Sequence, residues 1–584
     1  MSNPENAPTV AEALAAGLKR HRITTVFGQS IPSGFFLAAG DIGINQIVYR
    51  TENAGAIMAD AFARISGTLG VVAAQNGPAA TLLVPGLAEA YKASVPILAL
   101  VQDVPTSMAD RNAFQDIDQV ALFSSCTKWV RRVIDGDRID DYLDMAIAAA
   151  LSQRPAPVAL LLPMDVMTAR TTVHTRRSDD SRRFPLDRTR PTDELLEAAA
   201  KDIAAADSPL LVVGGGIHLS AACEIVARLQ EEAHLPVATT TAGRGAVADA
   251  HPLSIGMIGN VMGRRSGTHH LRKMIDDADL VVLVGTRTNQ NGTDSWTLFQ
   301  SAKEIIHIDI DSQEVGRNYQ SRRLVGDAKA TLTALLPAIL RRDMTIRRQR
   351  RAALEVAISA ARRLHQAEIA AVCSSKAAPI RPERVMADVE KLRPDNAILV
   401  ADASYSSVWL TNYLYSRHAG TRFLTPRGLA GLGWGLPMAI GAACAAPPGT
   451  PILCFVGDGA FAHMWGELET LRRLNCRVIL TVFNNGVLGF QKEAENARFG
   501  RHTIACHIAP IDHAKIAEAC GCIGIRVEAA DAYGEAFSSA LKFDRPVVID
   551  VITDPAAYPP ITVFDKFYAE AAPQAPAHAL SWQP

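Results

Sequence analysis

Ile452-Leu453-Cys454-Phe455-Val456-Gly457-Asp458-Gly459, followed downstream by Val478-Ile479-Leu480-Thr481-Val482-Phe483-Asn484-Asn485-Gly486, is the stretch that decides how this chain folds. Each half opens on an apolar run that ends in a glycine turn, the pattern of a strand buried on both faces. The residues between them, with Glu467-Leu468-Glu469-Thr470, read as one helix. Strand, helix and strand make a βαβ unit and imply a parallel sheet. Ligands of such sheets bind outside the carboxyl ends of the strands. Here those ends carry an anionic oxygen on Asp458 and an amide oxygen on Asn485, 27 residues apart. Hard oxygen ligands suit Mg2+, which keeps coordination places for phosphate and water. Gly457 and Gly459 let backbone N–H groups approach an anion, and the helix that follows offers its positive N-terminus. G-D-G or N-N-G alone is an ordinary turn. Together, behind two buried strands, they predict a site for magnesium and a diphosphate.

Working outward, residues 398–401 and 546–551 read as further strands of a unit spanning 376–565. A first unit, 1–175, alternates apolar runs (71–75, 96–101, 158–163) with a helical stretch at 54–66. A middle unit, 191–340, carries strands at 210–213, 280–284 and 304–310, with Gly214-Gly215-Gly216 as a turn after the first. The charged stretch 171–190 reads as a linker, and the basic, alanine-rich 341–363 as a solvated helical linker rather than a nucleic-acid site. The expected fold class is α/β: three domains, each a parallel sheet in a three-layer αβα arrangement. The Ala- and Pro-rich tail after Tyr568 reads as loosely ordered.

With 48% hydrophobic residues, 20% charged residues and a formal net charge of −1, the chain has material for several cores and no field that would draw it to nucleic acid or a membrane. The nine cysteines are scattered, and Cys520 and Cys522 alone are a weak zinc pattern, so they read as small buried hydrophobes. The polar N-terminus lacks a signal-peptide core, no run is apolar enough to span a bilayer, and the expected location is cytoplasmic.

A second element lies in the first unit: Arg50-Thr51-Glu52-Asn53-Ala54-Gly55, opening the helical stretch. With the G-D-G…N-N pair it resembles the signature of thiamine diphosphate-dependent enzymes. The resemblance extends to acetolactate synthases over about residues 11–554. It rests on Gly77-Pro78-Ala79-Ala80-Thr81, Ala113-Phe114-Gln115, Ser125-Cys126-Thr127-Lys128, Gly428-Leu429-Ala430-Gly431-Leu432-Gly433-Trp434-Gly435-Leu436-Pro437, His251-Pro252-Leu253-Ser254-Ile255-Gly256-Met257 and His307-Ile308-Asp309-Ile310-Asp311.

This resemblance implies pyrimidine-binding, central and diphosphate-binding domains, with thiamine diphosphate and Mg2+ as cofactors. It implies a reaction in which a 2-oxo acid is decarboxylated and the remaining fragment is joined to an acceptor carbonyl; the substrate is a 2-oxo acid or 2-hydroxy ketone. Glu52 would hydrogen-bond the aminopyrimidine and promote the imino tautomer that removes the C2 proton. The metal would take Asp458, Asn485 and the Val487 carbonyl. Gly77, Tyr405, Ser406, Ala430, Gly457, Gly459, Ala460, Leu488, Gly489 and Phe490 would complete the cofactor site, with Leu432 supporting the bent cofactor. Phe114 and Gln115, together with Gln29, Ser33 and Phe490, would line the acceptor side. The central domain would hold FAD, ADP or nothing, with Gly215, Arg287, Asp309 and Asp327 as its nucleotide positions. Because the pyrimidine domain of one subunit meets the diphosphate domain of another, a homodimer or homotetramer is implied.

This sequence departs from the pattern at Leu432 (Met in acetolactate synthases), Tyr405-Ser406 (Gln-His), Asn76 (a small residue) and Gln29-Ser30-Ile31-Pro32-Ser33 (a Tyr-Pro-Gly-Gly-Ala loop). Because these changes cluster at the pocket, a related 2-oxo acid decarboxylase, C–C lyase or 2-hydroxyacyl-CoA lyase-like enzyme stays open. Glu52, Asp458 and Asn485 together argue against a catalytically silent relative.

Overall fold

A computed structural model describes residues 7–172 and 181–565. The tail after Tyr568 and part of the 171–190 stretch lie outside the described residues. Three six-stranded sheets form, and every named strand pair in them is parallel. Helices cover the sheets, as parallel sheets require.

The first sheet runs Asn45–Ile47, Thr25–Gly28, Gly70–Ala74, Ile97–Asp103, Val158–Pro163, Trp129–Arg132. The third runs Phe423–Leu424, Ile398–Ala401, Ile452–Gly457, Val478–Asn484, Val547–Ile552, Ile523–Val527. Counted along the chain within each sheet, both have the order 2-1-3-4-6-5. The middle sheet runs Arg322–Val325, Glu304–Asp309, Leu280–Val284, Pro209–Val213, Val237–Thr239, Ser254–Met257. Its order is the dinucleotide-binding 3-2-1-4-5-6, seen from the other edge. Strand order reverses between Thr25–Gly28 and Gly70–Ala74, between Pro209–Val213 and Leu280–Val284, and between Ile398–Ala401 and Ile452–Gly457. Crevices at such reversals are where open α/β sheets bind ligands.

The outer units pack on each other through the helices Glu52–Ser66 and Gly435–Ala445, which belong to one continuous core. Glycine permits this crossing: a Cβ on Gly441 would lie 2.1 Å from the Met58 carbonyl oxygen.

One local expectation is corrected. The region after Gly459 holds two helices, Asp458–Ala462 and Glu467–Arg473, not one. The break lets Glu467 turn inward, where its Oε1 accepts from the N–H groups of Arg50 and Thr51 at 2.9 and 3.0 Å. The basic stretch is helical as expected: most of it lies in the helix Thr345–Cys373, which leaves much of its surface exposed and buries Arg347, Ile358, Ala361, His365 and Ile369 against its neighbours.

Candidate active site

At the third sheet's reversal, Ile452–Gly457 delivers Asp458 to the mouth of a cavity of about 430 Å³. Asp458 is 5% exposed. Its Oδ1 accepts from the Gly459 N–H at 2.8 Å, and its Oδ2 from those of Asn485 and Gly486 at 3.1 and 2.7 Å. Burial nevertheless raises its pKa above the ordinary value, and Asp550 adds to that effect. A cation alongside would offset the cost of keeping this carboxylate charged. Asn485 Oδ1 accepts from the Val487 N–H at 3.1 Å, so the amide oxygen sits on the turn that also presents the Val487 carbonyl.

One carboxylate, one amide oxygen and one carbonyl make too few protein ligands for a closed cage. They fit Mg2+ whose other places go to phosphate and water. Gly457 stands at the strand's end with open space where a Cβ would be, its nearest neighbour the Ser406 hydroxyl at 3.8 Å. The donor set and this gap fit a diphosphate.

Tyr405, Ser406, Ala430, Leu432, Gly457, Gly459, Ala460, Asn485, Val487, Leu488, Gly489 and Phe490 all line the same cavity. The Tyr405 ring lies edge-on to Phe490 and Phe564, so this departure from the family pair gives the cavity an aromatic wall.

Glu52, Gly77, Phe114 and Gln115 do not line that cavity, and Gly77 packs against Gln115. Glu52 is the first residue of its helix and is half-buried, with Thr51 capping the helix through the Ala54 N–H. Gln115 is held against the turn after Gly70–Ala74: Asn76 Nδ2 donates to its carbonyl at 3.0 Å and Gln75 Nε2 to its Oε1 at 2.8 Å. A Cβ on Gly77 would meet that Gln115 carbonyl at 2.7 Å. Phe114 is 86% exposed. Gln29 Nε2 donates to the Arg50 carbonyl at 3.2 Å, and Ser33 Oγ donates to the Ser30 carbonyl. Gln29 therefore lies beside the turn that leads into Glu52, whereas Ser33 is bonded within its own loop.

At the middle sheet's reversal, Gly215, Arg287, Asp309 and Asp327 line one cleft of about 200 Å³. Gly214 and Gly216 nest against Gly285, with ideal Cβ positions 2.4 and 2.7 Å from its atoms. Arg287 donates to the Lys92 carbonyl across the cleft. Asp327 caps the helix Ala328–Leu340 and also accepts from Arg188 and Ser220. Burial pushes the Asp309 carboxyl up to about 6.

Three buried carboxylates that organise these loops were not predicted. Asp402, directly after Ile398–Ala401, accepts from the N–H groups of Ala403, Gly433 and Gly435 and so fixes the loop bearing Leu432. Glu89, from the first unit, accepts from those of Gly428, Leu429 and Ala430. Glu467 holds the turn before Glu52. Position at a buried strand's carboxyl end was a usable signal for Asp402. Glu89 and Glu467 sit on helices, where nothing local separates them from surface acids.

Comparison with known proteins agrees with this geometry. Residues 8–122 match the thiamine pyrophosphate enzyme N-terminal TPP binding domain, 196–335 the central domain, and 402–551 the C-terminal TPP binding domain. The protein named "Probable acetolactate synthase large subunit" from Methanocaldococcus jannaschii is 30% identical, covering 94% of this chain and 92% of its own. Acetolactate synthase from Arthrospira platensis is 30% identical over 93% of this chain and 94% of its own. Acetolactate synthase 1, chloroplastic, from Nicotiana tabacum is 31% identical over 94% and 82%. The chain belongs to the thiamine pyrophosphate enzymes. It is a thiamine diphosphate-dependent enzyme of the carboligase and decarboxylase type, similar throughout to acetolactate synthases. Among the described residues no helix is long and apolar enough to cross a membrane.

Proposed function

We propose that this enzyme decarboxylates a 2-oxo acid and joins the remaining fragment to an acceptor carbonyl, as an acetolactate synthase does, with Mg2+ and with each active site shared between two copies of the chain. The observation that carries this reading is the buried Asp458 carboxylate beside the Asn485 amide at adjacent strand ends, facing a glycine-edged cavity. Thiamine diphosphate, when bound, supplies a carbon nucleophile and an electron sink for loss of CO2.

The chain's own residues do the rest. Asp458, Asn485 and the Val487 carbonyl hold the metal. Gly457, Gly459, Ala460 and Ser406 give the diphosphate close backbone approach and hydrogen bonds. Leu432, on a loop pinned by Asp402 and Glu89, would support the cofactor where it lines the cavity, while Tyr405, Leu488, Gly489 and Phe490 would exclude water around it. Glu52 supplies a carboxyl to the aminopyrimidine. Gln29, Ser33, Gly77, Phe114 and Gln115 form the acceptor side. Since Glu52 and its neighbours do not line the Asp458 cavity, and Phe114 is exposed, a second copy that brings the two groups together completes the site. We assign FAD or ADP to the middle cleft on its strand order and its facing glycine turns.

The test is CO2 release and product analysis across a panel of 2-oxo acids with thiamine diphosphate and Mg2+. Coupled 2-hydroxy-3-oxo acids are expected. Aldehydes alone would favour a simple decarboxylase, a reading that rests on the altered 29–33 loop. Asp458→Ala should abolish Mg2+-dependent retention of thiamine diphosphate in calorimetry; unchanged affinity would place the metal elsewhere.

A further inference from the structure

A third cavity, of about 370 Å³, lies where the middle sheet, the helix Thr345–Cys373 and the end of the helix Tyr405–Tyr413 meet. It lies within the range of small-molecule sites, about 300–1,000 Å³. None of the residues assigned above to the two cofactor positions lines it. Ile255 and Met257 give it an apolar wall, and most of its lining is apolar.

Its charges are unequal in what they have left to offer. Arg244 is paired with Asp249 at 2.7 Å, and the same carboxylate accepts from the Ser416 N–H at 2.7 Å. Arg417 is paired with Glu390 and Asp395. Arg362 makes no direct ion pair among the described residues: its Nη2 donates to the carbonyls of His251 and Ser254 at 2.8 and 2.7 Å, and the Asp249 carboxylate that holds Arg244 also lies close enough to favour its charge. Burial works against its charge and lowers its pKa. The Tyr415 hydroxyl lies in the same field, close enough to Arg362 for their charges to interact, and forms no hydrogen bond among the described residues. His365, three residues along the helix from Arg362, is 3% exposed, and neither ring nitrogen has a partner.

Arg244 and Arg362 share the one Asp249 carboxylate, which leaves a positive charge in excess in a part-buried cavity, and that excess is costly unless an anion answers it. We propose that this cavity is a binding site for a small monocarboxylic acid. Its carboxylate pairs with Arg362 and accepts from the Tyr415 hydroxyl, its apolar body lies against Ile255 and Met257, and His365 closes the wall. One positive charge in excess over Asp249 matches one carboxylate charge, whereas a phosphate dianion would bring a second buried charge with no partner.

Hexanoate and its neutral isostere hexanamide are the probes, titrated by calorimetry into the full chain loaded with thiamine diphosphate and Mg2+. Wild type is expected to bind hexanoate more tightly than hexanamide. Arg362→Met should weaken hexanoate by about ten- to a hundredfold, the worth of a hydrogen-bonded charge, and abolish the preference. Tyr415→Phe, which leaves the carbonyls of His251 and Ser254 served, should weaken hexanoate by about tenfold with the thermal midpoint intact. Activity with saturating 2-oxo acid should be unchanged in a folded Tyr415→Phe enzyme. No hexanoate binding in wild type, equal binding of the two probes, or hexanoate binding untouched by both substitutions would overturn the proposal. Untouched binding would put the probe in the active site.

Discussion

Asp309 ends the strand one place beyond the middle sheet's reversal, Asp402 directly follows a strand at the third sheet's, and burial pushes both carboxyls up to about 6. Asp402 faces three backbone N–H donors that need its oxygens, whereas Asp309 has one, from Asp311 at 2.9 Å. The difference makes Asp309 the better place to see linkage. Its folded-state pKa lies above the ordinary 3.8, so the folded chain binds this proton more tightly than the unfolded chain. Stability from it is complete below 3.8 and is lost as pH rises through about 6. Asp309→Asn keeps the acceptor and removes the ionisation. It should therefore raise the unfolding free energy near neutrality by an amount on the order of 1–3 kcal/mol, and the thermal midpoint with it, and the gain should vanish as the pH approaches 4. Scanning calorimetry of the nucleotide-free protein checks it; a gain that does not shrink in acid would refute the assignment. The same change should weaken FAD or ADP binding, as expected where stability is given up at a functional site. At this scale much was legible, because G-D-G, N-N-G and Glu52 announce chemistry by residue type and neighbours. Glu89 and Glu467 did not, because their partners are backbone N–H groups hundreds of positions away.

Elements were legible in proportion to burial. The central strands Val158–Pro163, Leu280–Val284 and Ile398–Ala401 are apolar throughout and match the sequence reading residue for residue. The edge strands Trp129–Arg132, Arg322–Val325 and Ile523–Val527 carry arginines and half-exposed positions, so no apolar run marks them. Helix pairing was not legible either. Gly441 shows that its helix has a small face, yet nothing near it names the partner, Glu52–Ser66. The contact makes a sharp prediction. In Gly441→Ala the added carbon would meet backbone atoms of Met58, its carbonyl oxygen at 2.1 Å and Cα at 2.7 Å, which cannot rotate aside as a side chain can. Such overpacking costs about 1–3 kcal/mol, so the thermal midpoint should fall by roughly 2–10 °C. An unchanged midpoint would mean that the two helices slide apart freely. The first turn of the displaced helix carries Glu52, so C2 deprotonation should slow with it, while the Asp458 site keeps its affinity for Mg2+.

For the whole molecule, three αβα units followed from alternating strands and helices, but the strand orders did not. The first and third sheets share 2-1-3-4-6-5 with no sequence repeat to show it, because order is set by which way each crossover packs and not by local pattern. Those orders put Glu52 and Asp458 at reversals of different sheets, and this leads to the last prediction. Glu52→Gln should keep the cofactor and lose about 10²–10⁴-fold in rate, the usual worth of positioned acid–base assistance. Asp458→Ala should lose the cofactor. If each site takes Glu52 from one copy and Asp458 from another, a dimer of one chain of each kind has one site with both lesions and one with neither. Random mixing makes half of the dimers mixed, and half of their sites intact, so about a quarter of wild-type activity should return. If both residues served a site within one chain, every site in the mixture would carry a lesion and nothing would return. Co-expression with two affinity tags, followed by sequential purification, isolates the mixed dimers, whose activity should reach about half that of wild type. Inactive mixed dimers that still bind thiamine diphosphate at one site would mean that a single chain brings the two residues together, and the shared site would have to be abandoned.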